Sequence, residues 1–189
     1  MKKLSECCTK ITDGAHHTPT YTDKGIPFLR VTDITTELNW NKVKYIPQKE
    51  HEDLIKRCKP EKGDVLYSKN GTIGVPKLVT WDKDFSIFVS LALLKVKKET
   101  LRSEFLESFL LTPRALEQAR KHSKTGTVTN LHLIEIREMQ IPVPSLIEQD
   151  MWISQRNFLE NIKATLQQSL SDMNKLFASL QNQAFNDTL

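Results

Sequence analysis

Apolar residues recur with a seven-residue period through the C-terminal part of the chain. The residues at the repeating position are Leu159, Leu166, Met173 and Leu180. Others widen the same helical stripe, namely Ile162, Leu170, Leu176, Phe177 and Ala184. A heptad pattern of this kind is typical of a helix that packs along a partner helix in a coiled coil. The pattern therefore predicts a dimer interface on one face of a long C-terminal helix.

The start of this helix is marked by a change in composition. All six glycines and all eight prolines lie at or before Pro144. Ser145 and Glu148 then have the spacing of a capping box, in which each side chain bonds the main-chain N–H group of the other residue. The chain is therefore expected to change from a mixed domain, residues 1–144, to a dimerisation and spacer helix, residues 145–189.

The predicted helix runs from about Leu146 to Phe185, which is roughly 60 Å at 1.5 Å per residue. One interpretation is that it folds back on its own domain. We favour a projecting helix, because the apolar stripe extends further than a domain of this size could cover.

Short runs rich in β-branched and aromatic residues, bounded by Gly, Pro or Asp, predict strands in the first domain. These runs are residues 28–34, 64–68, 77–80, 86–90, 93–96 and 138–143. Two helices are expected at residues 103–111 and Pro113–His122, the second capped by Thr112. Strands followed by helices indicate the α+β class. We predict a twisted β-sheet with flanking helices, followed by one long C-terminal coiled-coil helix.

Positive charge is concentrated in the first domain. After Ile147 the chain has three basic and five acidic residues, a net charge of −2, which leaves 24 basic and 18 acidic residues, or +6, before it. Two turn-like segments, 69–72 and 124–127, combine a lysine, a glycine and small polar side chains. Such turns can offer N–H groups, hydroxyls and a charge to a phosphate or a base edge.

Signatures of catalysis are absent from the sequence. It contains no Walker loop, dinucleotide fingerprint, or metalloprotease or kinase motif. Cys7, Cys8, His16 and His17 lack the spacing of zinc ligands, so no metal site is expected. Without a signal peptide or apolar span, and with an odd number of cysteines, the chain is predicted to be cytoplasmic, with no membrane association.

Seven short motifs follow one another along the chain. They are TDGAHHTP at 12–19, GIPFLRV at 25–31, GDVLYSKNGTIG at 63–74, GT at 126–127, IPVP at 141–144, EQ at 148–149 and QAF at 183–185. This ordered set resembles the target recognition domain of Type I restriction-modification specificity subunits. The family usually carries two recognition domains and two helical conserved regions, and this sequence has one of each. It therefore looks like a half-length form.

The resemblance implies how the protein works. Two long helices would pair antiparallel and separate two recognition domains, each of which reads half of a bipartite site in double-stranded DNA. A homodimer is the simplest source of the second helix. Identical domains would then read identical half-sites, so the target is expected to be an interrupted palindrome.

The resemblance also implies a non-catalytic chain that binds no cofactor itself. Adenine methylation would belong to modification subunits that bind S-adenosylmethionine. Translocation and cleavage would belong to a restriction subunit that uses ATP and Mg. The specificity chain would direct these partners to their site.

Charge and turn chemistry select the candidate DNA-binding residues. They are His16, His17, Thr18, Tyr21, Arg30, Lys69, Asn70, Thr72, Lys77, Lys124, Thr125, Thr127 and Asn130. Two structural alternatives remain open. Segment 69–72 could be only a hairpin turn, and Arg30 could be only an exposed strand residue.

Two alternatives to a symmetric specificity subunit also remain. The chain could be a remnant whose helix pairs with a different specificity chain, which would give an asymmetric site. It could also be an unrecognised nuclease, in which case Asp13, Asp33 and Asp64 would be the carboxylates to test.

Overall fold

The computed structural model describes residues 1–122 and 130–186. The chain divides into two compact units, Met1–Gln149 and a second unit that starts at Asp150. The predicted domain boundary after residue 144 stays a prediction, and the first turn of the long helix is counted with the first unit.

The first unit contains short strands and short helices. In chain order they are β1 Lys2–Lys3, α1 Leu4–Cys7, β2 Cys8–Asp13, β3 Ile26–Leu29, α2 Val31–Ile34, β4 Lys44–Ile46, α3 Gln48–Ile55, β5 Val65–Ser68, β6 Pro76–Leu78, β7 Ser86–Ile87, β8 Leu91–Val96, α4 Ser103–Leu110, α5 Pro113–His122, α6 Leu133–Glu138 and β9 Gln140–Ile141. Helix α7, Leu146–Phe185, follows. The predicted α+β class with a long C-terminal helix is confirmed.

Within the described residues the strands form three sheets. The largest has the antiparallel order β2-β8-β5-β6, and a second has the order β4-β3-β7, in which β3 pairs parallel with β7. Strand β1 pairs with β9. This last pairing joins the N-terminus of the unit to the segment that precedes α7.

Strands β5 and β8 are buried on both faces, which explains their nearly continuous apolar sequence. Val65 and Tyr67 lie in the core cluster that includes residues of α4, α5 and α6. Leu66, from the opposite face of β5, lies in a second cluster with Leu29 and Ile87. Because side chains alternate across a strand, the central sheet separates two apolar layers.

Several predicted boundaries were wrong. The predicted strand 28–34 ends at Leu29, and Val31–Ile34 forms the helical turn α2. The Arg30 N–H group donates to Asp33 Oδ2 over 2.7 Å and caps this turn. A local side-chain bond of this kind stabilises a helical turn despite the strand propensity of Val and Ile.

Three further strand predictions differ from the structure in their limits. Strand 86–90 is only Ser86–Ile87, and strand 93–96 begins earlier, at Leu91. Strand 138–143 is only Gln140–Ile141. The prediction missed β1, β2, β4, α1, α3 and α6. Helix α3 buries only His51, so it has no apolar stripe to reveal it.

The predicted capping box at the start of α7 is confirmed. The Ser145 N–H group donates to Glu148 Oε2 over 2.8 Å, and the Glu148 N–H group donates to Ser145 Oγ over 3.3 Å. Hydrogen bonds from Ser145 lower the pKa of the Glu148 carboxyl. Among the described residues, no helix is both long and apolar enough to cross a bilayer.

Candidate nucleic-acid interface

A buried carboxylate, Asp13, brings together three basic side chains, those of His16, Arg57 and Lys69. It ends β2, and its side chain is only 5% exposed. Asp13 Oδ1 lies 3.0 Å from His16 Nε2 and 3.2 Å from Arg57 Nη1. Asp13 Oδ2 lies 3.3 Å from Lys69 Nζ. We call these four residues the Asp13 cluster.

The partners of Asp13 decide its ionisation. Burial alone would raise the pKa of Asp13, but the hydrogen bond with His16 and the charge of Lys69 outweigh it, so the pKa lies below its usual value. The carboxylate is therefore ionised at neutral pH. It can hold Lys69 and Arg57 in place as charged groups.

The main chain around Lys69 connects this cluster to two further segments. The Lys69 N–H group donates to the Ser90 carbonyl over 2.9 Å, and the Lys69 carbonyl accepts from Leu131 N–H over 2.8 Å. Asn70 and Asn130 form an isolated antiparallel bridge. Three predicted residues, Lys69, Asn70 and Asn130, therefore lie in one neighbourhood, although sixty positions separate the first from the last.

Arg30 meets the same neighbourhood through Ser90. The Val31 N–H group donates to Ser90 Oγ over 3.2 Å. The Arg30 guanidinium itself pairs with Asp33 through two N–H groups, each 3.1 Å from a carboxylate oxygen. This pairing raises the pKa of Arg30. Arg30 is thus a half-buried residue that precedes α2, not an exposed strand residue.

Segment 69–72 belongs to the hairpin that joins β5 to β6. Gly71 and Gly74 have φ values of 75° and 85°, which favour glycine. The Val75 N–H group donates to Ser68 Oγ over 2.8 Å. The hairpin geometry accounts for the glycines. Thr72 is exposed in the turn, so its DNA contact stays a prediction.

The remaining predicted DNA-binding residues have varied positions. His17 Nε2 lies 3.4 Å from Glu50 Oε1, and Thr18 is exposed beside it in the chain. Tyr21 is exposed and packs edge-on against Phe28, with their ring centroids 6.2 Å apart. Lys77 lies on β6, where it pairs with Leu66 of β5. Lys124, Thr125 and Thr127 lie outside the described residues.

Arg57 is the residue of this site that the sequence analysis missed. It follows the unpredicted helix α3, and its N–H group donates to the Leu54 carbonyl over 3.2 Å. Arg57 Nη2 donates to the Asp13 carbonyl over 2.9 Å and also to the Gly14 carbonyl. No motif or periodicity marks Arg57, because its role depends on a contact with a segment 44 residues away.

The groups that resembled metal ligands do not converge. In the part of the chain that the structure describes, no three His, Cys, Asp or Glu side chains are grouped as a metal site would require. Burial raises the pKa of the Cys8 thiol to about 12 and that of Cys58 to about 11. Both thiols are therefore protonated at neutral pH.

The predicted dimer-interface residues lie on α7, and all are exposed in the single chain. The large ones are between 40% and 64% exposed. They are Leu159, Ile162, Leu166, Leu170, Met173, Leu176, Phe177 and Leu180, and the small residue Ala184 is also exposed. An apolar stripe of this length is characteristic of a surface that a partner covers.

The geometry thus combines an α+β unit that holds the Asp13 cluster with a long helix that exposes an apolar stripe. The family model of the Type I restriction modification DNA specificity domain matches residues 1–171. The chain therefore belongs to this family, which confirms the resemblance drawn from the motifs.

Relatives and solved structures agree with this assignment. The chain is 26% identical, over 170 residues, to the Type I restriction enzyme EcoBI specificity subunit of Escherichia coli, covering 87% of this chain and 36% of that protein. It thus spans about a third of the length of this curated relative.

The solved structures share the fold. An S subunit of a Type I restriction-modification system from M. genitalium matches with a TM-score of 0.61 and 14% identity, over 98% of this chain and 45% of that one. The HsdS subunit from Thermoanaerobacter tengcongensis matches with a TM-score of 0.65 and 20% identity, over 99% and 44%. A chain from a study of complex assembly in the type I R-M system matches with a TM-score of 0.69 and 21% identity, over 99% and 45%.

Proposed function

We propose that this chain is a DNA specificity subunit that reads double-stranded DNA with its first unit. One observation carries the proposal: segments that are far apart in the chain and contain predicted DNA-binding residues come together at Asp13 and Ser90. Phosphate contacts position a protein on DNA and base contacts specify the sequence, so a reading surface needs charges and amides side by side. The net charge of +6 before residue 148 supports this role.

The second part of the proposal is that α7 pairs with another α7. The exposed stripe from Leu159 to Ala184 needs an apolar partner, and a second copy of this chain supplies one in an antiparallel homodimer. Two identical reading units then recognise two identical half-sites. The target is accordingly a bipartite, interrupted palindrome.

The third part concerns the partners. In this proposal the chain performs no chemistry and binds no cofactor. It directs modification subunits, which bind S-adenosylmethionine and methylate adenine, and it also directs a restriction subunit that uses ATP and Mg. The complex acts in the cytoplasm. Membership of the specificity domain family supports this division of roles.

Methylation mapping tests the proposal directly. The chain is co-expressed with modification subunits of its system, and N6-methyladenine is mapped across the host DNA by single-molecule sequencing. We expect an interrupted palindrome to be methylated. An asymmetric motif would indicate pairing with a different specificity chain, and an absence of methylation would contradict the specificity role.

A nuclease is the less favoured alternative. The three carboxylates that it would use each have a cationic partner: Asp13 pairs with Lys69 and Arg57, Asp33 with Arg30, and Asp64 with Lys95 at 2.6 Å. Carboxylates that bind catalytic metals must converge on an ion. Metal-dependent cleavage by the purified chain that disappears when all three are changed to Asn would revive this alternative.

A further inference from the structure

The position of Arg57 is fixed by more contacts than an ordinary surface arginine makes. Three acceptors hold its guanidinium: Asp13 Oδ1, the Asp13 carbonyl and the Gly14 carbonyl. Gly14 is itself packed closely against the main chain, because a Cβ atom there would lie 2.7 Å from the Phe88 carbonyl carbon. The guanidinium is therefore attached to a part of the main chain that cannot easily move.

Arg57 carries the exposed positive charge of the Asp13 cluster. Asp13 and Lys69 are both nearly fully buried, with side chains 5% and 7% exposed, and their charges cancel. The Arg57 side chain is 52% exposed. The one negative charge of Asp13 cannot neutralise both cations, so the cluster carries a surplus positive charge at its exposed member.

The unused donors of Arg57 match one kind of ligand. A guanidinium has five N–H groups, and three of those in Arg57 bond to other described residues, which leaves two without a partner among residues 1–122 and 130–186. The two that remain are Nε–H and one N–H of Nη1, which point from different edges of the guanidinium, so each can donate singly to an anionic oxygen such as that of a phosphate. Because main-chain carbonyls hold the group, it cannot extend into a groove to read a base.

We infer that Arg57 is a DNA-backbone contact, which binds a phosphodiester beside the predicted contact His16. His16 and Arg57 meet at the same oxygen, Asp13 Oδ1, so a phosphate near one is near the other. The inference rests on the proposed DNA-reading function. It adds a contact that fixes the register of the protein on DNA without selecting the sequence.

Salt-dependent binding by the full chain in complex with its modification subunits tests the inference. Binding is measured from 50 to 300 mM KCl on a duplex with the methylated motif and on a scrambled duplex. Losing one phosphate contact lowers the slope of log K against log salt by about 0.9 and weakens binding at 0.1 M salt by about 5- to 10-fold. We expect Arg57→Gln to cause this change on both duplexes.

Two control variants separate charge from position. Arg57→Lys keeps the charge, so its slope should remain that of the wild type. Lys56→Gln removes one charge from the neighbouring residue, which is 75% exposed and pairs with Asp53, and it should leave the slope unchanged. An unchanged slope for Arg57→Gln, or an equal reduction for Lys56→Gln, would overturn the inference.

A measurement on the wild-type protein covers the case in which Arg57→Gln does not fold. Phenylglyoxal modifies accessible arginines, and mass spectrometry reports the modification of each one with and without the duplex. DNA should protect Arg57 relative to the other arginines, and equal modification in both states would contradict the contact. Wild-type complex that fails to prefer the motif duplex would instead contradict the proposed function.

Discussion

Single residues in the first unit have unequal numbers of partners, and this determines what each substitution does. Asp13 has three partners, the cations Lys69 and Arg57 and the imidazole of His16, whereas Lys69 has Asp13 as its ion-pair partner. A buried charge that loses its partner is far more costly than a pair that is removed as a whole. Loss of the Asp13 charge should therefore lower the free energy of unfolding more than loss of the Lys69 charge.

Replacing Asp13 by Asn should destabilise the protein more than replacing Lys69 by Met. Asp13→Asn leaves the Lys69 ammonium buried without a counter-charge, at a cost of about 3–5 kcal/mol. Lys69→Met leaves Asp13 with Arg57 and His16, so we expect about 1–2 kcal/mol. Urea unfolding at pH 7 measures both values, and equal losses would contradict the asymmetry.

The acid dependence of stability should change in the same variant. The folded-state pKa of Asp13 lies below its ordinary value of 3.8, so its ionised form stabilises the fold above that value. This contribution is lost as the pH falls through the lowered folded-state pKa. The stability of Asp13→Asn should therefore fall less steeply below pH 4 than that of the wild type.

Between elements, the buried side chain of Gln149 bonds the first turn of α7 to the rest of the first unit. Gln149 is fully buried. Its Oε1 accepts from Arg102 N–H over 2.8 Å, and its Nε2 donates to the Thr100 and Pro144 carbonyls over 3.1 and 2.9 Å. Three main-chain groups thus depend on one amide.

Replacing Gln149 by Ala should destabilise the first unit by about 2–4 kcal/mol, because the main-chain groups lose their partners. Gln167→Ala provides the matched control, since Gln167 is exposed on the same helix. Its effect should be below about 0.5 kcal/mol. Urea unfolding curves compare the two, and similar midpoints would show that the Gln149 bonds do not stabilise the fold.

At the scale of the whole molecule, the apolar stripe of α7 carries the prediction of a dimer. Leu166 and Met173 lie near its centre, and they are 64% and 60% exposed in the single chain. In a coiled coil these residues would be buried, where a carboxylate without a partner is costly. Charge added to this face should therefore weaken self-association.

Changing Leu166 and Met173 together to Asp should weaken self-association by at least about 100-fold, on the order of 3 kcal/mol. Ala164 and Ser171 lie on the opposite face of the helix, so changing both to Asp adds the same charge away from the stripe. Sedimentation velocity over a concentration series distinguishes them. Equal weakening by the two double variants would place the interface elsewhere.

Local sequence patterns were sufficient to locate α7, its capping box at Ser145 and Glu148, and, in outline, the hairpin strands 65–68 and 76–78. These features depend on interactions between residues three, four or seven apart, or across a short turn, so local periodicity and turn residues record them. The limits of the strands did not follow from the sequence, because the β-branched residues in 31–34 form a helical turn instead of extending β3. Only the tertiary structure brought Asp13, Arg57 and Lys69 together. Asp13 and Lys69 meet because β2 pairs with β8 and β8 pairs with β5, and Arg57 reaches them from the end of α3. These contacts join segments far apart in the chain and leave no periodic signal.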